Sequence, residues 1–350
     1  MAYKSGELKN TRDYFIDNLK AFLIVLVIWG HVESNLRPVG ELTRLYYFIH
    51  TFHMPCFAFT SGYLAKSVVK DGKFRAERYF STLWLFVFFR LMNCGIAHAF
   101  GRQTKLEFFD ISSAAWYLLA LSAWYVLVPL LLSMKPRTGL AVTTLSGLLV
   151  GYADNVSTFL TFSRMVVFLP FFAAGLYLSK EGLAGFLSKY EKLRIPAAVF
   201  LLLAAGGFVF LGNPLGSCAR IVFGGMPYSV ALKTYAPYGF FIRGGLYLFA
   251  VLVSAACMLL VPRRKLWFSY VGKYSLAIYI LHILVRDALL YAGVFGKIKK
   301  LPGIYMLLSI PACVAAALVL GNPVFGKAMN WVADPVKQWR QREKKKALKA

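Results

Sequence analysis

Apolar runs long enough to cross a lipid bilayer recur from one end of this chain to the other, and that recurrence leaves few folds open. A hydrocarbon core about 30 Å thick needs about 20 apolar residues of helix. Inside it every backbone polar group must be satisfied within its own helix or in a closed barrel. Ten candidate segments are read, at 17–34, 45–65, 79–99, 114–133, 139–153, 163–179, 195–212, 239–261, 270–293 and 303–325. The 350 residues are 59% hydrophobic and 16% charged, far from the balance of a soluble domain of this length. The expectation is an all-α integral membrane protein of about ten transmembrane helices. Segment 139–153, "GLAVTTLSGLLVGYA", is the shortest and the weakest of the ten. The first run is followed by His31-Val32-Glu33-Ser34 rather than small residues, so no cleaved signal peptide is expected.

The formal net charge is +25. In a soluble chain that would point to nucleic acid; here it reads as loop charge that sets topology, and no nucleic-acid partner is expected. With the N-terminus placed in the cytoplasm, 25 of the 40 lysines and arginines fall in the inside segments 1–13, 66–78, 134–138, 180–194, 262–265 and 326–350, and 9 in the outside loops. Both termini are therefore expected in the cytoplasm, in a plasma or inner membrane. The chain then divides into a cytoplasmic segment 1–13, a transmembrane domain 14–325 and a basic cytoplasmic tail 326–350 that meets anionic lipid. "GKIKK" (296–300) runs against this pattern by falling outside. The longest outside loop, 213–238, is a candidate binding element. Five cysteines stand singly, without a CxxC pair or a metal-ligand spacing, so neither a disulfide framework nor a metal site is expected.

Ionisable groups in hydrocarbon are costly and usually face a bundle interior or a cavity. All five histidines (His31, His50, His53, His98 and His282) lie in or at the ends of the apolar segments, as do Lys20, Arg90, Arg164, Arg243, Lys273 and Arg286. Snorkelling to the headgroups accounts for Lys273 and Arg243; Arg90, in mid-segment, resists that explanation. In "DNLKAFLIVLVIWGH" (17–31), Lys20 and His31 are eleven residues apart, which is three helical turns and about 16 Å on one face. Asp17 is placed to pair with Lys20. In the second segment His50 and His53 are three apart, ahead of a break at Pro55. In "GKYSLAIYILHILVRD", Ser275, Tyr279, His282 and Arg286 make one polar stripe on an apolar helix.

These segments together resemble the membrane-bound acyltransferase 3 family, in particular its fucose 4-O-acetylase-like branch. "RDYFIDNLKAFLIVLVIWGH" is similar to the family's opening signature, and "FHMPCFAFTSGYL", "AWYLLAL", "SRMVVFLPFFAAGLYL" and "GKYSLAIYILH" are similar to its later motifs, in the family's order. Lysine at position 20 stands where many relatives carry arginine, which keeps the charge but not bidentate phosphate binding. The resemblance implies an O-acyltransferase that takes an acyl group, usually acetyl, from acetyl-CoA and gives it to a hydroxyl of a glycan or glycolipid.

Acyl transfer to an alcohol needs a base, donors for an oxyanion and exclusion of water. On that footing His31 is the expected base, with His53, His282 and Asp17 completing the catalytic candidates. Lys20, Arg75 and Arg78 are expected to attract the phosphates of coenzyme A. Arg164, Arg90, Tyr279 and Ser275 are the candidates for the acceptor. Expected partners are acetyl-CoA, the acceptor and the lipid bilayer; a homo-oligomer is compatible with the sequence. The rivals are a transporter or flippase of a glycan precursor, and a histidine-ligated haem or metal protein.

Overall fold

Every apolar segment read from the sequence lies on helix in the computed structural model, which describes residues 13–36, 41–70, 72–106, 108, 114–155, 159–212 and 215–334. The basic segments 1–12 and 335–350 lie outside the described residues. The helices are α1 (Tyr14–Leu36), α2 (Glu41–Ala65), α3 (Ala76–Ala99), α4 (Trp116–Ser133), α5 (Pro136–Leu149), α6 (Phe162–Tyr177), α7 (Lys180–Lys189), α8 (Arg194–Phe210), α9 (Tyr228–Ala231), α10 (Gly239–Leu260), α11 (Ser269–Lys273), α12 (Ser275–Tyr291), α13 (Val294–Ile298), α14 (Pro302–Leu320) and α15 (Pro323–Ala333). Among the described residues the β pairing is confined to a hairpin of β1 (Val69–Lys70) and β2 (Lys73–Phe74).

Five helical stretches are long and apolar enough to cross a membrane: α1, α3, α4, and α8 and α10 with the turns that lead into them. The count reaches seven if two bent pairs each make one span, α6 with α7 (93°) and the end of α14 with α15 (63°). Ten is not reached on length and composition, for identifiable reasons. The 14 residues of α5 extend only about 21 Å. The 25-residue α2 is diluted by His50, Thr51, His53, Thr60 and Ser61. The segment read as 270–293 is broken at Tyr274 into α11 and α12. At the C-terminal end, α15 crosses the expected boundary at 325/326. It is packed rather than free, with the Trp84 indole donating to the Val332 carbonyl at 2.9 Å.

The apolar pattern explains which helices sit inside. In α1, Phe15, Ile16, Leu19, Leu23, Ile24, Val27, Ile28 and Trp29 are all buried, so the helix is covered nearly all round, as a core helix must be. It packs on α2, α11, α12 and α14. At the periphery, Leu202 and Leu203 of α8 and Leu307 of α14 are at least 70% exposed, an apolar surface suited to lipid. Arg243 corrects the snorkelling expectation: it is 2% exposed. Its guanidinium lies 4.4 Å from the Tyr228 ring centroid and donates to the Gly147 carbonyl at 3.1 Å. Lys273 is exposed, with its ammonium over the Tyr274 ring.

A close backbone joint lies between α2 and α6. A Cβ added at Gly62 would sit 2.7 Å from the Phe172 carbonyl carbon, and one added at Gly175 would sit 2.8 Å from that of Phe59. Each glycine receives the backbone of the other helix, the close approach that small residues permit between membrane helices. This joint fixes the spacing between His50 and His53 on α2 and Arg164 on α6.

Candidate functional site

Four histidines from three helices meet at the end of the bundle where α1 finishes and α2 begins. His31 of α1 and His282 of α12 have ring centroids 5.4 Å apart. His50 and His53, neighbours on α2 through their i, i+3 spacing, are 4.6 Å apart. A side chain on Gly30 would meet the His50 ring at 3.1 Å, so the glycine beside His31 admits the second histidine.

Three of the imidazoles are oriented alike. The Nδ1 atoms of His50, His53 and His282 lie 2.7, 2.8 and 2.8 Å from the carbonyls of Tyr46, Ile49 and Ile278, each four residues earlier. A carbonyl only accepts, so Nδ1 carries the proton and Nε2 keeps its lone pair. The Nε2 of His282 is buried without a hydrogen-bond partner among the described residues. His31 is half-buried, and its ring opens on a cavity of about 330 Å³.

That cavity is lined by His31 and Gly30 of α1, Tyr46, His50 and His53 of α2, Trp116 of α4, Arg164 and Phe168 of α6, Tyr279 and Arg286 of α12, and Val222 and Phe223 of the 216–223 turn. Its charge is cationic. Arg286 is partly neutralised by Asp287, whose Oδ1 accepts from the guanidinium at 2.9 and 2.5 Å. Arg164 stacks 5.4 Å from the Trp116 ring centroid and makes no ion pair among the described residues. Guanidinium groups held in a low-dielectric site suit an anion, or negative charge developing on an oxygen. The backbone that launches α6 places Arg164 at a cost. Leu160 (φ 48°) and Thr161 (φ 56°) are consecutive left-handed residues, a conformation that side chains other than glycine rarely adopt. The Tyr279 hydroxyl donates to the Ala114 carbonyl and so ties α12 to the segment ahead of α4. Phe223 lies edge-on to His50 at 5.1 Å. Its turn is held by Ser163, whose hydroxyl donates to the Gly224 carbonyl at 2.8 Å.

Of the residues singled out from sequence, His31, His53, Arg164 and Tyr279 line this cavity, and His282 stands directly behind His31. The others lie elsewhere. Asp17 and Lys20 pair at 3.4 Å at the opposite end of α1, about 21 and 16 Å along the axis from His31. Arg75 and Arg78 are exposed, Arg75 beside Glu77 at 3.4 Å. Arg90 is half-buried on α3, and Ser275 is buried in the first turn of α12. The face between Lys20 and His31 is packed rather than open: Ile24 and Ile28 on it are 0% and 4% exposed. Sequence reasoning left His50, Tyr46 and Arg286 out of the site. The signal for His50 was its spacing from His53, and for Arg286 its place on the α12 stripe. Phe223 lies in the 213–238 loop, marked from sequence as a candidate binding element without singling out the residue.

A family model described as an acyltransferase domain matches residues 13–322, which include every residue lining the cavity. No curated protein and no solved structure matches the chain at a significant level.

Proposed function

The chain belongs to the membrane acyltransferase 3 family, and on that premise we propose that it moves an acetyl group from acetyl-CoA to a hydroxyl of a cell-surface glycan or glycolipid, as a fucose 4-O-acetylase-like member acting in a plasma or inner membrane. The observation that carries this reading is the meeting of His31, His50 and His53 with Arg164 around one cavity, the His282 ring lying against His31. Family membership leaves the transporter reading without support. Among the described residues no cluster suited to a metal ion is present.

In this reading the acceptor hydroxyl lies against His31. The imidazole takes its proton as the oxygen attacks the thioester carbon. The carbonyl oxygen becomes an oxyanion, and Arg164 and Arg286 supply the opposing charge. The tetrahedral centre collapses with rupture of the C–S bond, and the proton held by His31 passes to the departing thiolate. The products are an ester and free coenzyme A. His282, whose ring backs His31, positions it; His50 and His53 form the facing wall with Phe223 above them. The apolar lining of Trp116, Phe168 and Phe223 keeps water from competing with the acceptor.

Lys20, Arg75 and Arg78 are the proposed cations for the donor's phosphates, and Asp17 holds Lys20 in place. From there the pantetheine arm runs beside α1 rather than along its Lys20–His31 face, which Ile24 and Ile28 close. Arg90 and Ser275, outside the cavity, receive no role. If the lysine and arginine excess sets the topology, His31 sits toward the outer surface and the donor cations toward the cytoplasm.

The test is to reconstitute the protein in liposomes, supply acetyl-labelled acetyl-CoA and a mixture of membrane glycans, and look for alkali-labile label on the glycan. Ester-linked label supports the proposal. Glycan that crosses the bilayer unlabelled returns the chain to the transporter class.

A further inference from the structure

On the side of α1 turned away from His31, the structure carries a second and larger cavity, of about 670 Å³. Phe22 and Val25 of α1, Leu260 of α10, and Ile310 and Val314 of α14 are among its walls. Phe22 and His31 are nine residues apart, which is half a turn out of phase on a helix, so this groove shares no lining residue with the catalytic cavity. We propose that it holds an acyl chain of one anionic phospholipid, whose phosphate rests on Arg264 and Lys265.

Three observations commit the groove to that occupant. Its walls are apolar apart from Asn18, the Cys257 thiol and the Trp267 indole N–H, and the Asn18 amide is already committed. Its Nδ2 donates to the carbonyls of Pro262 and Arg264 at 2.9 Å each, and its Oδ1 accepts from the Ser269 hydroxyl at 2.7 Å. Asn18 thus has nothing left for a polar ligand, and the remaining wall is almost wholly apolar, so what enters is apolar along most of its length. The mouth is then charged. Pro262 and Trp267 both line the groove, and the residues between them include Arg263, Arg264 and Lys265. Arg263 is engaged, donating to the Leu187 carbonyl at 2.6 Å and lying 4.0 Å from Glu191. Arg264 and Lys265 are exposed and make no ion pair or side-chain hydrogen bond among the described residues. Finally, the loop is rigidly presented. Asn18 holds two of its carbonyls, and the backbone N–H of Leu266 donates to the Ser269 hydroxyl at 2.8 Å. Trp267, 74% exposed, stands beside the cations where an indole meets the headgroup layer. Apolar groove, exposed tryptophan and two adjacent exposed cations without an ion pair among the described residues match a lipid chain with an anionic headgroup.

The test uses the full chain in nanodiscs of phosphatidylcholine, doped with either phosphatidylglycerol or phosphatidylcholine brominated on the acyl chain. The difference in tryptophan quenching between wild type and Trp267→Phe isolates the groove. The brominated anionic lipid should quench Trp267 at about thirty-fold lower mole fraction than the zwitterionic one, the preference two juxtamembrane cations confer. Arg264→Gln with Lys265→Gln should erase that preference while quenching by either lipid at high mole fraction persists. Because both side chains are exposed, the double variant is expected to fold. High salt on the wild-type protein should erase the preference independently. Equal quenching by both lipids in wild type means annular lipid only and overturns the proposal. So does a preference that survives both the double variant and high salt. Quenching by neither lipid, with a dimer in light scattering, assigns the face to a second copy and overturns it as well.

Discussion

Adding one methyl group at Gly62 should disable the enzyme without touching any residue of its cavity. An alanine Cβ there would lie 2.7 Å from the Phe172 carbonyl carbon and closer still to its oxygen, where ordinary contact begins at 3.4 Å. The obstacle is backbone on both sides, so no rotamer change relieves it, and α2 and α6 must part by about 1 Å. Overpacking of this kind costs about 1–3 kcal/mol of stability. The larger effect is on geometry. The same joint sets His50 and His53 against Arg164, and a displacement of about 1 Å in a reacting constellation costs about a hundred-fold in rate. Gly62→Ala should therefore fold with a lowered thermal transition and transfer acetyl about a hundred-fold more slowly. Gly175→Ala, the reciprocal contact, should behave alike, whereas Gly185→Ala, whose Cβ meets nothing within 4 Å, serves as the control. The assay is ester formation from labelled acetyl-CoA by protein matched for folded fraction. Wild-type rate and stability in Gly62→Ala would refute the reasoning.

Arg164→Gln removes the cavity cation that makes no ion pair among the described residues. It should lower kcat by about 10²–10³ with little change in KM for the donor, and an unchanged kcat would detach the guanidinium from the transition state. Asn18→Ala strips the donors from the Pro262 and Arg264 carbonyls and the acceptor from Ser269. Thermal unfolding should show a loss of about 1–3 kcal/mol, and no loss would mean the loop is held by other contacts. Lys20→Met should weaken coenzyme A binding, measured by calorimetry, before it affects the rate at saturating donor; unchanged affinity would remove Lys20 from the phosphate site.

Much of the fold is legible because hydrophobic length is a one-dimensional property. The apolar runs around α1, α3, α4, α8 and α10 announce helices whatever packs beside them. What the runs do not carry is depth and bend. The 93° turn between α6 and α7 and the break at Tyr274 depend on neighbours, and α5 is too short to read by length alone. The same division holds at the site. Of the α12 stripe, Tyr279 and Arg286 reach the cavity and His282 lies against His31, because helical periodicity fixes relative azimuth, while Ser275 stays outside. The stripe logic misled on α1. Lys20 and His31 do share a face, but periodicity is silent on whether that face meets a void or another helix, and Ile24 and Ile28 show that it meets packed side chains. Arg243 failed for the same reason. Its position near a segment end suggested the headgroups, yet Tyr228 and Gly147 enclose it. Phe223 lies in the loop that its length marked as a candidate binding element, but which residue of that loop reaches the cavity is a long-range fact that no local pattern encodes.

The central claim is that His31 takes the acceptor proton as the thioester is broken. It is tested most directly by following free thiol release from acetyl-CoA in purified wild-type and His31→Ala protein, with and without acceptor glycan. Release should depend on the acceptor in wild type and fall by at least about 10²-fold in His31→Ala, with coenzyme A binding and folding unchanged. Release at the wild-type rate by His31→Ala would contradict the claim.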